Sequence, residues 1–432
     1  MSRLLSTRSV PVSGSLFSGG GVGDFGVEMG CGIPVIAASE IIPSRSQLIS
    51  KNFPETRVFE GDIWSRHDEY ISFFRSQLDG KRPWLLTLSP PCQGMSSNGA
   101  GRIASSIRSG IRPKEDDRNR LILPGISILE KLQPDWFILE NVRRMENTII
   151  RNENDQSENI LDCLGRRLHP LGYSIRSNIL NFSFYGVPHH RERLITIGCR
   201  IPHITKNVPC QEKIFSKKLS VFHPPFSHGI DGCPPLISLR HAVGKLPTLD
   251  SQTLLVDPHD SLHRVPRWRD NQYFWMKNTP EGKSAFDNFI CIQCSHQNQT
   301  KELVTCEKCG EFLPRPTLIR NGEVRLIKGF KTSYRRMKWD TPASTLTMNS
   351  GVISSDVKGH PDQHRVLSLR EILILSTLDH PRWKKEYSFE GIKYGRPKNQ
   401  QGFSCKLIRE VIGESIPPLA MSCLVNHLRG LE

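Results

Sequence analysis

"SLFSGGGVGDFG", Ser15 to Gly26, follows a short apolar run and is crowded with glycine. It contains G-x-G-x-x-G at Gly21, Gly23 and Gly26, and the overlapping Gly19–Gly21 pair permits a second register. Glycines at a strand-to-helix turn let the backbone approach a ligand at a helix N-terminus. The stretch therefore predicts the first strand–helix unit of a nucleotide-binding sheet. Glu40 ends the second predicted strand roughly 20 residues on, where such folds bind ribose hydroxyls. "GDI", Gly61 to Ile63, ends the third. One acid after each of strands two and three suits a nucleoside with a ribose and an exocyclic amine. Both NAD and S-adenosyl-L-methionine satisfy that description.

Outward from this loop, apolar runs alternate with helical or polar segments up to residue 200. Predicted strands cover 12–17, 34–39, 57–60, 84–89, 136–141, 176–182 and 193–198. "NRLILPGISILEKLQP", Asn119 to Pro134, carries apolar residues at helical spacing. The alternation predicts an α/β fold with a doubly wound, mostly parallel sheet. From about 200 to 345 the chain turns to Pro, His, Lys and Arg with short breaks, and reads as a second, smaller, irregular domain. Regular patterning returns with predicted helices at Leu367–Leu378 and Pro417–Leu428. The expected organisation is a cofactor and catalytic domain at 1–200, a recognition domain at 201–350, and a segment at 351–432 that returns to the first domain.

The chain has 432 residues, with 58 Lys plus Arg against 43 Asp plus Glu, a formal net charge of +15. That excess favours a polyanionic partner, most simply nucleic acid. No apolar run approaches membrane-spanning length. The opening "MSRLLSTRSVPVSG" lacks the apolar stretch of a secretory signal, so a cytoplasmic setting with reduced thiols is expected. Four of the twelve cysteines form "CIQC" (Cys291, Cys294) and "CEKC" (Cys306, Cys309). Two such pairs, eleven residues apart, predict a tetrahedral structural zinc.

Three predicted strand ends carry reactive groups. "LSPPCQG" delivers Cys92 after strand four on a proline-stiffened approach; "ENV" places Glu140 after strand five; "VPHHRER" brings Arg191 and Arg193 to the start of strand seven. The carboxylate can move a proton. The arginines, two apart on an extended segment, can orient a planar polar substrate or a neighbouring carboxylate. With a thiol, the set suits attack on an electron-poor ring.

In order along the chain, "FSGGG", "SEI", "GDI", "PPCQ", "ENV", "RER", "LRHAVGKLP", "RRMKWDTPASTLT", "RVLSLRE" and "IGESIPP" resemble the DNA (cytosine-5)-methyltransferases of bacterial restriction–modification type. The resemblance covers most of the chain. It implies that Cys92 adds to cytosine C6 and that Glu140 contacts N3 and the exocyclic amine. Arg193 would hold the base oxygen and orient Glu140, with Arg191 supporting the loop or a phosphate. The base must leave the duplex to be reached. For the methyl donor, S-adenosyl-L-methionine, it implies a site of Phe17, Gly19, Gly21, Glu40, Ile41, Asp62, Ile63, Pro91, Leu121 and Ser415. The implied partners are double-stranded DNA and a separately encoded restriction endonuclease, with a monomeric enzyme. The sequence departs from the family at Ser15 (usually Asp), His189 (usually Gln) and Glu414 (usually Asn). Methylation of an RNA cytosine and a silent DNA-binding relative are the competing readings; an NAD oxidoreductase leaves "PPCQ" and "ENV" unexplained.

Overall fold

The structure is a computed structural model that describes residues 11–91, 117–211, 213–328, 332–392 and 402–432. The first 200 residues alternate as their pattern requires: β1 (Ser13–Leu16), α1 (Val22–Cys31), β2 (Val35–Glu40), α2 (Pro43–Asn52), β3 (Arg57–Glu60), α3 (Ile63–Gln77), β4 (Leu85–Leu88), α4 (Ile122–Leu132), β5 (Trp136–Asn141), α5 (Ile160–Leu168), β6 (Ser174–Asn181) and β7 (Glu192–Cys199). The sheet runs β3-β2-β1-β4-β5-β7-β6. Strands β1 to β5 are parallel, and β7 is antiparallel to both β5 and β6. The chain thus reverses direction beside β1, and the crevice at the carboxyl ends of β1 and β4 is where such sheets bind ligands.

The central strands are buried on both faces, and their side chains divide by alternation. Leu86, Leu88, Phe137 and Leu139 face a core built with α3, α4 and α5. Leu85, Trp136 and Ile138 face the opposite core, shared with α1 and the last helix. That face is completed from far along the chain. Helices α6 (Leu369–Leu375), α7 (Cys405–Glu414) and α8 (Pro418–Gly430) follow the irregular region, and α8 lies across α1. Glycine makes the contact possible: a Cβ on Gly26 would stand 2.3 Å from the Pro418 carbonyl oxygen, and one on Gly30 2.3 Å from Ser422 Oγ. The Leu367–Leu378 pattern yields a shorter helix, because Ser368 caps α6 and Glu371 reaches back to the cap.

The irregular region is less separate than its composition predicts. Ile204, Ile214 and Phe222 belong to the two sheet cores, and Leu239 and Val243 pack with α6 and α7. An independent core begins only at Trp268 and runs through Trp275, Met276, Tyr334 and Ile353 to Val366. Buried arginines hold its loops. Arg336, 2% exposed, donates to the carbonyls of Met276, Thr279, His360 and Gln363 at 2.5–2.8 Å. Among the described residues no helix is long and apolar enough to cross a membrane.

Candidate functional site

The glycine turn settles into the Gly19–Gly21 register. Gly19 and Gly21 adopt left-handed backbone (φ 58° and 73°), and Gly21 caps α1. Gly23 and Gly26 lie inside the helix, where Gly26 serves packing. Phe17 also has positive φ, 57°, a strained state for a bulky residue. Such strain gathers at ligand sites. Glu40, buried at the end of β2, accepts the Gly19 N–H at 2.8 Å on one oxygen and the Ile42 N–H at 2.9 Å on the other. Burial raises its pKa, against the pull of the Ile42 bond, Arg45 and the Gly19 bond. Beside it Ile41 is 62% exposed, an apolar surface left largely open. A Cβ on Gly19 would meet no atom within 4 Å, so the backbone there is open to a ligand.

The remaining predicted cofactor residues divide. Asp62 is exposed and caps α3 by accepting the Trp64 N–H at 3.1 Å. Ile63 is buried in the core. Pro91 ends the described part of the β4 loop, and Leu121 packs partly buried just before α4. Ser415 ends α7, its hydroxyl donating to the Val411 carbonyl at 2.6 Å. The three departures from the family pattern have local answers. Ser15 Oγ donates at 2.8 Å to Asp24, a buried carboxyl whose pKa burial pushes up to about 7. Glu414 pairs with Arg45 of α2, so its charge is neutralised within the protein. His189 is buried, and burial beside Arg191 drives its pKa well down, so it is neutral.

Cys92 lies outside the described residues, but its approach is fixed. Pro90 and Pro91 follow β4, and the Asn141 side chain, 2% exposed, donates to the Pro90 carbonyl at 3.0 Å. Glu140 ends β5 one residue earlier. Arg193 on the neighbouring strand places Nε 2.7 Å from Glu140 Oε1, with both side chains largely buried (14% and 7% exposed). Register explains the meeting: Glu140 lies opposite Ile195, so Arg193 is the diagonal neighbour across the antiparallel pair. The arginines part company. Arg191, 1% exposed, donates to the carbonyls of Leu346 and Gly413 at 3.2 and 3.1 Å. It joins two segments more than 60 residues apart to the start of β7. Their contact needs glycine too, since a Cβ on Gly413 would lie 2.1 Å from the Met348 nitrogen. Sequence reasoning missed Asn141, whose signal was its place within "ENV".

The four cysteines converge, every Sγ within 4.8 Å of the others. Cys291–Cys309 and Cys294–Cys306 stand at 3.5 and 3.7 Å. A tetrahedron with 2.3 Å zinc–sulfur bonds has edges of roughly 3.8 Å, so the donors fit zinc. The two halves repeat one turn. Ser295 (φ 55°) and Gly310 (φ 76°) follow the pairs, donating their N–H groups to the carbonyls of Cys291 and Cys306 at 2.9 Å.

Residues 13–428 match the family model for C-5 cytosine-specific DNA methylases. The chain is 30% identical over 431 residues to the Type II methyltransferase M1.HgaI of Avibacterium volantium, covering 96% of this chain and 97% of that one. It is 26% identical over 418 residues to M.DdeI of Desulfomicrobium norvegicum, covering 96% and 87%. A solved DNMT2 from Spodoptera frugiperda superposes with a TM-score of 0.55 at 16% identity, over 97% of this chain and 99% of that one, a likeness of fold.

Proposed function

The chain belongs to the C-5 cytosine-specific DNA methylases, a DNA cytosine methyltransferase, and we propose that it methylates C5 of a flipped-out cytosine within one duplex sequence through a covalent Cys92 adduct. The observation that carries this reading is the buried Glu140–Arg193 pair at the end of β5, beside the Asn141-anchored approach to Cys92. S-adenosyl-L-methionine supplies the methyl group. The open backbone at Gly19, the Glu40 carboxylate and the bare Ile41 fit its nucleoside. Phe17, Gly21, Asp62, Pro91, Leu121 and Ser415 are assigned to the same donor site, with Ile63 behind it in the core.

The chemistry follows from the base. Cytosine C6 is a weak electrophile until charge can be accepted at N3. Glu140 gives a proton to N3 as the Cys92 thiolate forms a bond to C6, which leaves an enamine whose C5 takes the methyl group as S-adenosyl-L-homocysteine departs. Loss of the C5 proton to solvent then expels the Cys92 thiolate, and return of the N3 proton to Glu140 restores the ring. Arg193 lies against Glu140 through Nε and donates to the Glu192 carbonyl through Nη1, which leaves Nη2 for the base oxygen. Arg191 acts at a distance, locking β7 to the return segment. A duplex hides C6 from the thiol, so the nucleotide must be extruded.

Catalysis and cofactor binding are assigned to residues 1–200, recognition to 201–350 and completion of the sheet to 351–432. The cysteines Cys291, Cys294, Cys306 and Cys309 would hold a structural zinc with no position open for substrate. A separately encoded endonuclease is the expected companion. Labelled methyl transfer to duplex DNA, single-stranded DNA, tRNA and no acceptor tests the function. Label in duplex cytosine supports it, and label confined to tRNA replaces it.

A further inference from the structure

An antiparallel hairpin, Thr317–Arg320 with Glu323–Leu326, stands out from the recognition region. Its turn is Asn321-Gly322, both at positive φ (53° and 78°), the turn that matches strand twist. Direct pairing sorts its faces. Thr317, Ile319, Val324 and Leu326 share one, while Leu318, Arg320, Glu323 and Arg325 share the other, all exposed. Ile319, 76% exposed, leaves the tip of the apolar face bare. Arg325 is held toward the tip by Glu323 in an exposed pair.

A lone two-stranded hairpin is marginal in water, so its base must be held. The Ile327 N–H donates to the Pro316 carbonyl at 2.9 Å, and Ile327 packs on the Trp268–Trp275–Tyr334 core. Arg315, 3% exposed, is a post beneath the first strand. It donates to the carbonyls of Phe286, Leu303 and Lys301, and its guanidinium lies 4.6 Å over the Phe289 ring. Lys301 and Leu303 sit between the two cysteine pairs, so the post ties the hairpin to the cysteine cluster.

We propose that this hairpin is the element that enters the major groove and reads the target sequence, an inference that rests on the DNA-methylating reading above. Charge selects the occupant. After Glu323, the second strand opens the run "RLIKGFKTSYRRMK", Arg325 to Lys338, with six Lys or Arg and no acid, of which, among the described residues, Arg336 alone is buried in the core. The groove, about 12 Å wide, admits a two-stranded ribbon. On one face Arg320 presents a forked donor suited to a guanine edge, and Arg325 keeps Nη1 beyond its pair with Glu323; Asn321 at the turn suits adenine, and Ile319, on the other face at the tip, suits a thymine methyl.

The test uses full-length protein and the duplex sites that bisulfite sequencing of expressing cells reveals. Arg320→Ala with Arg325→Ala should keep its melting temperature, zinc content and S-adenosyl-L-methionine affinity. Affinity for the methylated duplex should fall about 10- to 100-fold per lost base contact, and Ile319→Ser should alter which flanking bases are tolerated. Unchanged affinity and an unchanged methylation pattern in both variants would overturn the hairpin assignment while leaving the methyltransferase reading intact. Absence of methylated cytosine with the wild-type protein would instead remove the reading on which it rests.

Discussion

The sheet and the recognition region solve the burial of polar groups in opposite ways. In the sheet, backbone groups pair along seven strands, and the buried acids Glu40 and Glu140 sit at strand ends; buried Arg176 of β6, which donates to the Ile175 and Pro209 carbonyls, is an exception. In the recognition region strands are short, and buried cations do the pairing. Arg315 and Arg336 each satisfy three or more carbonyls, and Lys358, its pKa lowered by burial to about 8, donates to the Thr345 carbonyl at 2.8 Å. The sheet holds its acids at the crevice through only a few partners, the Gly19 and Ile42 N–H groups for Glu40 and Arg193 for Glu140. The irregular region spends its buried cations on architecture, which leaves the exposed ones for the proposed reading of DNA.

This contrast can be broken most severely at Glu140. Glu140→Gln should slow single-turnover methyl transfer by about 10²- to 10⁴-fold, the usual worth of a positioned proton donor, with cofactor affinity nearly intact. Loss of cofactor affinity with unchanged chemistry would put Glu140 in the other site. Cys92→Ser should likewise form no adduct with 5-fluorocytosine DNA, and an adduct in that variant would unseat Cys92.

Removing the metal separates the two regions next. Cys306→Ser should bind no zinc by elemental analysis and lose sequence-specific DNA binding, since the loops have little core of their own. Calorimetry should still find S-adenosyl-L-methionine bound. Stoichiometric zinc missing from freshly purified, reduced wild-type protein would refute the cluster.

Asp24 probes the sheet alone. Its carboxyl, raised to about 7 from an unfolded value near 3.8, holds a proton in the folded state after the unfolded chain has lost it. Stability from this group therefore falls as pH rises from about 4 to 7 and is level above 7. Asp24→Asn should flatten that slope and melt above wild type at pH 8, by a few kcal/mol at most; parallel melting curves across pH would contradict it. The smallest effect is expected at Asn141. Asn141→Ala frees the Pro90 carbonyl and should lower kcat about tenfold, the worth of one buried hydrogen bond. An equal rise in the KM for cofactor would point to general loosening of the crevice.

All seven strands were legible within two residues at either end; the buried parallel ones read as apolar runs bounded by breaks. The glycine turn after β1 and the acids at the ends of β2 and β5 were legible from those strand boundaries. Arg191 was visible, but its partners at Leu346 and Gly413 were not, as they lie 155 and 222 residues away. The Arg45–Glu414 pair was hidden likewise, so Glu414 read as a surplus charge. Arg315 and Arg336 looked like surface cations, since a guanidinium bonded to carbonyls leaves no periodic trace. The Asn321-Gly322 turn was a local signal overlooked within an irregular stretch.

The covering of α1 by α8 has a kinetic side. The Gly26–Pro418 contact joins residues nearly 400 positions apart, so loop-closure entropy must be overcome before that face gains anything. At roughly 5–20 residues per second of synthesis, the bare flank of α1 waits on the order of 20 to 80 s for its partner. A chain still on the ribosome thus carries its glycine turn without the helices that brace it. Such an intermediate is a natural client for chaperones, and the finished crevice is among the last features of the molecule to form.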